Sequence, residues 1–163
     1  MTDPTSKTEL LETMLAARER LDSLIDQMAP PLMTRPSPPG TWSVKDILAH
    51  LTSYDRWLGL TLALRGLKPP DFWIEDIPLD EFNRRLFEEN RDKTLDQVLQ
   101  EFKQVWREIL DETQACSETY LFAEQSIPGV PYAFRPCDLL KSESYGHYLD
   151  HLPALDAWLH AGP

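Results

Sequence analysis

Apolar residues recur every three or four positions along four long stretches of the chain, the pattern of amphipathic helices around a shared core. The first stretch predicts a helix over about residues 6–28 that stops before Pro30 and Pro31. The second stretch predicts a helix that begins at Ser43 as its N-cap and ends near Gly66. Both boundaries follow from residue types that favour the start or the end of a helix.

The third and fourth stretches predict two further helices. Thr94 is the expected N-cap of the third, and Gln97 completes a capping box. Pro136 fits the first turn of the fourth helix, which ends near His160. Pro153 falls inside that helix, where it removes a backbone hydrogen bond and is expected to bend the axis.

The connections between these helices indicate the architecture. Residues 30–40 hold five prolines and predict an extended link, and residues 67–93 predict an extended segment followed by a short helix. A connection as long as 67–93 can cross the bundle, so the second and third helices can run parallel. We therefore expect an all-α four-helix bundle, up-down-down-up, as a single domain over residues 1–163. The loop at 115–135 fits a lid or an inert packed segment.

Composition restricts the possible partners. Apolar residues make up 42% of the chain, which is typical of a globular protein, and the net charge is −11. That charge argues against binding nucleic acid through its phosphates and against docking on anionic membranes. No apolar run reaches the length of a transmembrane helix, and the polar N-terminus predicts a cytoplasmic protein. The only cysteines, Cys116 and Cys137, imply no disulfide framework, and the sequence favours an inert Cys137.

Two histidines near the C-terminus are the strongest chemical signal. His147 and His151 lie four positions apart, so both imidazoles project from one face of the fourth helix. The same face carries apolar residues before and after the pair, which predicts that the rings point towards the core. The pair fits either a metal site or two hydrogen-bonded structural histidines. His50 lies at the edge of the apolar stripe of the second helix, where a structural role is the more common one.

Several motifs resemble those of a known superfamily. The stretch 42–51, Trp-Ser-Val-Lys-Asp-Ile-Leu-Ala-His-Leu, is similar to the second-helix signature of the DinB-like four-helix bundle proteins. The stretch 147–151, His-Tyr-Leu-Asp-His, resembles their fourth-helix signature. Residues 82–91, followed by Thr94 and Leu95, resemble the ClbS/DfsB-type branch. The resemblance extends from the first helix to the end of the fourth.

This resemblance implies a metal site and a range of activities. Many DinB-like proteins bind a divalent metal through one histidine of the second helix and two of the fourth, which correspond here to His50, His147 and His151. Zinc or nickel would suit three nitrogen ligands. Members are often dimeric. Their known activities include thiol-dependent transferases and isomerases, and a hydrolase that opens cyclopropane warheads on a genotoxin.

Residues around the three histidines are candidates for a supporting role. Asp46 and Glu143 each precede a candidate ligand by one helical turn, so their carboxylates could orient the imidazoles. They also fit first-turn charge and solvated surface, an interpretation favoured for Glu143. Four aromatic residues could line a pocket or simply pack beside the core: Tyr54, Trp57, Tyr145 and Tyr148.

Three functions remain open. The first is a metal-dependent hydrolase or thiol transferase that acts on a small electrophilic molecule, with a homodimer as the expected assembly and no assigned catalytic side chain. The second is a protein that binds or sequesters a small molecule without turnover. The third is a bundle whose three histidines are structural and whose main surface function is dimerisation.

Overall fold

The computed structural model describes residues 3–36 and 42–160. Eight α-helices follow one another along this part of the chain: α1 (Lys7–Ile25), α2 (Pro30–Met33), α3 (Val44–Tyr54), α4 (Leu79–Asn90), α5 (Leu95–Ala115), α6 (Glu118–Phe122), α7 (Pro136–Leu140) and α8 (Gly146–His160). A π-helical segment, Asp55–Leu64, continues α3, and a second one, Lys141–Tyr145, joins α7 to α8. A short 3₁₀ turn covers Asp71–Trp73.

These elements form four bundle helices. The first is α1, the second is α3 with its π segment, the third is α5, and the fourth runs from α7 through its π segment to α8. Segment α4 lies in the long crossover and contacts α3. The chain is therefore an all-α four-helix bundle, as the hydrophobic periodicity predicts.

Contacts between helices establish the direction of each one. Lys45, near the start of the second helix, donates to the backbone carbonyl of Lys93, just before the third helix. Arg65, just past the end of the second helix, pairs with Glu112 near the end of the third. The second and third helices are therefore parallel, which confirms the predicted crossover.

The first and fourth helices run the other way. Lys7, at the start of α1, donates to the carbonyl of Cys116 at the end of the third helix. Asp3, just before α1, pairs with Lys141 early in the fourth helix. The first helix is thus antiparallel to the third and parallel to the fourth, which completes the predicted up-down-down-up arrangement.

Most predicted helix boundaries are confirmed by side-chain caps. Ser6, Ser43 and Thr94 each accept a hydrogen bond from a backbone N–H in the first turn of the helix that follows. The boxes at Ser43 and Thr94 are reciprocal, because the third helical residue bonds back to the cap. These short-range interactions explain why the starts were predictable from sequence.

One helix end and two connections differ from the sequence prediction. The first helix ends at Ile25 rather than near residue 28. Pro30–Met33 is a short helix instead of part of an extended link, because prolines fit the first turn of a helix, where backbone N–H donors are not needed. Residues 37–41 of that link lie outside the described part. The loop at 115–135 contains helix α6 and an isolated bridge between Gln125 and Phe134.

Two clusters of buried apolar side chains fill the structure. The larger lies between all four bundle helices, and the smaller lies beneath the crossover, where Leu58, Leu62 and Trp73 meet Leu86 and Phe134. Phe134 thereby anchors the loop at 115–135, which favours a packed segment over a mobile lid. Within the described ranges, no helix has the length and apolar character needed to cross a membrane.

A close approach of the helices occurs at Gly59, in the middle of the first π segment. A β-carbon placed there would lie 3.4 Å from Ile109 of the third helix and 3.8 Å from Leu140 and Ser144 of the fourth. These are ordinary van der Waals distances, so the second helix packs against the third and the fourth at this point without a requirement for glycine.

Candidate metal centre

His50 lies in α3 and faces the interior of the bundle. Its side chain is 5% exposed, more buried than its position at the edge of the apolar stripe predicts. The ring packs between Trp42, with ring centroids 5.1 Å apart, and Tyr54, at 4.7 Å. These aromatic contacts fix the direction in which the imidazole points.

His147 and His151 lie on the first two turns of α8, on the face that meets the second helix. Gly146, directly before His147, ends the second π segment, and its N–H bonds to the carbonyl of Lys141. A β-carbon at Gly146 would collide with that backbone carbonyl. The wide turn ahead of His147 therefore requires glycine, and this turn sets the rotation of α8.

The three imidazoles, called here the histidine triad, converge on one point. The Nε2 atom of His147 lies 3.2 Å from Nε2 of His50 and 3.2 Å from Nε2 of His151. One nitrogen from each ring lies within 4.8 Å of the others, an arrangement that could hold a metal ion. Residues 97 positions apart in the chain are thus brought together by the packing of two helices.

All three imidazoles are held in the neutral form that a metal requires. Burial, reinforced by the neighbouring His147 and His151 rings, lowers the pKa of His50 to about 3. Burial and the His151 ring lower the pKa of His147 to about 4, and burial also lowers the pKa of His151. At neutral pH each ring therefore carries a free lone pair on one nitrogen.

Hydrogen bonding within the triad cannot satisfy these groups. The Nε2 atom of His147 carries either one proton or one lone pair, so it cannot make good hydrogen bonds to both neighbours. The Nδ1 atoms of His50 and His147 are buried without a hydrogen-bond partner among the described residues. Polar atoms that are buried and unsatisfied destabilise a fold. A cation that accepts a lone pair from each of the three Nε2 atoms would satisfy those nitrogens, although it would not supply a partner for the two Nδ1 atoms.

The spacing of the nitrogens fits a transition-metal ion. With metal–nitrogen bonds of about 2.1 Å, a tetrahedral ion separates its ligand nitrogens by about 3.4 Å and an octahedral ion by about 3.0 Å. The His50–His147 and His147–His151 separations of 3.2 Å lie between these values, and the separation of the ligand nitrogens of His50 and His151 is at most 4.8 Å. Three nitrogen ligands leave at least one position open in either geometry.

An aromatic wall covers one side of the triad. The Tyr54 ring lies 4.6 Å from the His147 ring and meets Trp73 and Phe82 at 5.2 and 5.8 Å. Burial and the charge of Glu143 raise the pKa of Tyr54 to about 12, so its hydroxyl stays protonated. Tyr54 therefore presents an apolar face and a neutral hydroxyl beside the candidate centre.

Asp46 and Glu143 do not orient the imidazoles through their carboxylates. The Asp46 carboxylate accepts from the N–H and hydroxyl of Ser43, because it completes the capping box, and it makes no hydrogen bond to His50. Glu143 is partly buried, and burial raises the pKa of its carboxyl. No cation of the described residues pairs with it, so it remains a nearby negative charge rather than a ligand support.

Two of the proposed pocket aromatics lie elsewhere. Tyr148 is fully buried on a different face of α8 from His147, because adjacent residues of a helix point about 100° apart, and it packs against Phe102 and Trp106. Tyr145 is also in the main core. Trp57 packs at the border of the smaller apolar cluster, so of the candidate aromatics only Tyr54 contacts the triad rings.

The sequence analysis did not identify a second set of buried polar side chains next to the triad. This core polar cluster consists of Arg18, Asp55, Ser144 and Tyr148, all at most 3% exposed. A signal for it exists in the sequence, since Arg18 and Asp55 interrupt apolar stripes at positions that face the core. We assigned those stripes from their apolar members alone.

The two cysteines have no activating surroundings. Cys137 is 7% exposed, and burial raises the pKa of its thiol; burial and Glu112 do the same for Cys116. A thiol with a raised pKa is a poor nucleophile at neutral pH. His160 is exposed on the last turn of α8, where it contacts the backbone of Asp156.

Comparison with solved structures shows the same fold in several proteins. The colibactin self-resistance protein ClbS, solved in complex with double-stranded DNA, has a TM-score of 0.79 at 15% identity, covering 99% of this chain and 100% of ClbS. DfsB, described as a sibling lethal factor precursor, has a TM-score of 0.74 at 19% identity, covering 95% of each chain. A Streptococcus pneumoniae protein has a TM-score of 0.79 at 14% identity, covering 97% of this chain and 92% of its own.

Sequence comparison supplies the family. No curated protein matches the chain significantly. A family model, the mycothiol maleylpyruvate isomerase N-terminal domain, matches residues 14–124, which is more than half of the chain and includes His50. The chain therefore belongs to the family of the mycothiol maleylpyruvate isomerase N-terminal domain, and its fold is the DinB-like four-helix bundle of the ClbS/DfsB type.

Proposed function

We propose that this protein binds one divalent metal ion through His50, His147 and His151 and acts on a small electrophilic molecule as a hydrolase or thiol transferase. The observation that carries the proposal is the convergence of three neutral imidazoles at metal-ligand spacing, with no hydrogen-bonding scheme that satisfies them. Zinc and nickel are the ions that suit this all-nitrogen set.

The open position of a three-ligand site supplies the chemistry. When bound, the ion would lower the pKa of a coordinated water or thiol and so provide a nucleophile at neutral pH. The protein's own residues complete the site. Tyr54, Trp73 and Phe82 exclude water from one side, and the Glu143 carboxylate offsets part of the positive charge.

The family supports a small-molecule substrate. The family's name joins the thiol mycothiol to the small acid maleylpyruvate, and ClbS is named for resistance to colibactin. Both names describe proteins that deal with small molecules. The two free cysteines of this chain are consistent with a cytosolic location, where thiols stay reduced. A homodimer is the proposed assembly.

One related structure bears on the expected absence of nucleic acid. ClbS was solved in complex with double-stranded DNA, so a protein of this fold can be found with nucleic acid, contrary to the expectation from charge. In this chain the net charge is −11, and most described cationic side chains pair with a carboxylate, as Arg56, Arg65 and Arg135 do. The proposal therefore retains a small-molecule partner, and titration with labelled duplex DNA at low and at physiological salt tests this choice.

The experiment that tests the function compares turnover with stoichiometric binding. Protein purified without an affinity tag is loaded with Zn²⁺ or Ni²⁺ and mixed with cyclopropane- and epoxide-containing electrophiles, with and without a low-molecular-weight thiol. We expect repeated turnover by the wild type and by His160→Ala, and none by His50→Ala. Consumption that stops at one equivalent identifies the sequestering protein. A chain that takes up neither metal contradicts the proposal and favours structural histidines.

A further inference from the structure

The core polar cluster lies next to the histidine triad and joins the same helices. Its centre is a hydrogen bond in which the hydroxyl of Tyr148, on the fourth helix, donates to Oδ2 of Asp55, on the second. Both side chains are almost completely buried, Tyr148 at 0% exposure and Asp55 at 1%. This hydrogen bond therefore links directly the two helices that supply the triad.

Two further side chains complete the cluster. Arg18, from the first helix, lies with its guanidinium 3.6 Å from the centre of the Phe102 ring, and its charge favours the ionised form of Asp55. Ser144 lowers the pKa of both Asp55 and Tyr148, although its hydroxyl has no hydrogen-bond partner among the described residues. Asp55 thus has a hydrogen-bond donor from the fourth helix and a positive charge from the first helix near it.

The hydrogen bond between Tyr148 and Asp55 lies close to the candidate ligands. Tyr148 directly follows His147, and Asp55 follows His50 by five residues, roughly 7 Å along the helix axis. The distance between His147 and His151 is fixed within α8 by their spacing in one helix. The distance between His50 and His147 depends instead on how the second and fourth helices are held together.

We propose that Asp55 and Tyr148 are positioning residues that hold His50 opposite His147, so that the second helix can contribute the third nitrogen of the site. The proposal rests on the proposed function, because it assigns the cluster to that site. Neither side chain reaches the centre itself. Without the hydrogen bond between Tyr148 and Asp55, α8 would still hold His147 and His151 together, but His50 on the second helix would be displaced from them. A useful metal site tolerates displacements of only about 0.5 Å.

The first test is a double-mutant cycle on the affinity for Zn²⁺, measured by competition with a chelator. Tyr148→Phe should weaken binding by about 10- to 100-fold, the usual effect of losing a residue that supports a metal ligand. In a His50→Ala background the same change should alter affinity by no more than about 2-fold, because the cross-helix ligand is already missing. Equal weakening in both backgrounds, or none in the wild-type background, overturns the proposal.

Two matched variants separate positioning from general destabilisation. Tyr120→Phe removes a comparable hydroxyl, which donates to the carbonyl of Ala63 at 2.9 Å far from the triad, and should leave Zn²⁺ affinity within about 2-fold. Asp55→Asn keeps an acceptor for Tyr148 and should retain most of the affinity, whereas Asp55→Ala should not. Weakening by Tyr120→Phe as large as that by Tyr148→Phe contradicts the assignment.

Crystal structures of the variants give a measure that does not depend on metal binding. In Tyr148→Phe the separation of the Nε2 atoms of His50 and His147 should increase from 3.2 Å, and in Tyr120→Phe it should not. If the wild type binds no Zn²⁺, the proposed function fails, and this separation still decides the positioning role. An unchanged separation in Tyr148→Phe overturns it.

Discussion

The histidine triad and the core polar cluster lie side by side on the same helices but differ in the chemistry of their polar side chains. At the centre of the cluster, the hydroxyl of Tyr148 donates to the carboxyl group of Asp55, and the positive charge of Arg18 lies nearby. The cluster still contains buried polar atoms without a hydrogen-bond partner among the described residues, on Arg18, Asp55 and Ser144. The triad joins three imidazoles of the same kind, which cannot all be donor and acceptor to one another. The difference is that the cluster pairs unlike groups across two helices, whereas the triad brings together three like groups that suit a shared cation.

The largest expected effect separates the two regions by their response to metal. Zn²⁺ at a thousandfold excess over its dissociation constant should raise the free energy of unfolding of the wild type by about 4 kcal/mol. His147→Ala should lose almost all of this gain, because His147 contacts both other members of the triad. His160→Ala should retain it, since that ring is exposed and far from the triad. Denaturant unfolding with and without Zn²⁺ measures the gain, and equal gains in both variants would contradict this view.

The next effect concerns the cluster alone. Asp55→Ala should lower the free energy of unfolding of the metal-free protein by about 3 kcal/mol, because it leaves the buried hydroxyl of Tyr148 without its acceptor. Glu88→Ala is the control. It removes an ion pair with Arg91 in which the side chains are 47% and 53% exposed, and it should cost less than about 1 kcal/mol. Urea unfolding of both variants checks the difference, and similar losses would mean that Asp55 is not central.

The smallest effect is a difference in pH dependence. Burial raises the pKa of Asp55 to about 7, so its contribution to stability is fully present below the unfolded value of 3.8 and is lost as pH rises towards 7. Burial lowers the pKa of His50 to about 3, so its contribution is lost as pH falls below the unfolded value of 6.5. In the metal-free protein, the contributions of Asp55 and His50 to stability therefore change in opposite directions with pH.

Single variants should reveal the two opposite pH dependences separately. When the pH falls from about 7.5 to 5.5, the metal-free Asp55→Asn variant should lose roughly 2 kcal/mol more stability than the wild type, because it lacks the contribution of Asp55, which increases as the pH falls. His50→Ala should lose roughly 1 kcal/mol less than the wild type over the same interval. Chemical unfolding in the presence of a chelator, at several pH values, measures both slopes. A reversed order of the two variants would show that the signs are wrong.

Part of the site could be predicted from single helices. The pair His147 and His151 follows from a spacing of four in one helix, so no tertiary information was needed to place both rings on one face. His50 entered the prediction through a resemblance of sequence motifs, since its own stripe placed it at an edge. The structure shows it almost fully buried, because Trp42 and Tyr54 pack on both sides of the ring.

Neighbouring residues of the site were harder to predict. The sequence offered Asp46 as a support for His50, but a carboxylate three residues after an N-cap serine is equally suited to a capping box, and the local interaction prevails. Tyr148 was assigned to the pocket from its proximity in sequence to His147. It points into the core instead, and there it bonds to Asp55.

The sequence by itself determined the four helices, their starts and the parallel course of the second and third, because periodicity, capping and connection length are properties of local chain segments. The tertiary structure alone decided that His50 meets His147 and that Tyr148 meets Asp55. Such contacts depend on the rotation of each helix about its axis and on the register between helices. Both are set by the packing of side chains between helices and by the wide turn that ends at Gly146, and neither leaves a periodic signal in the chain.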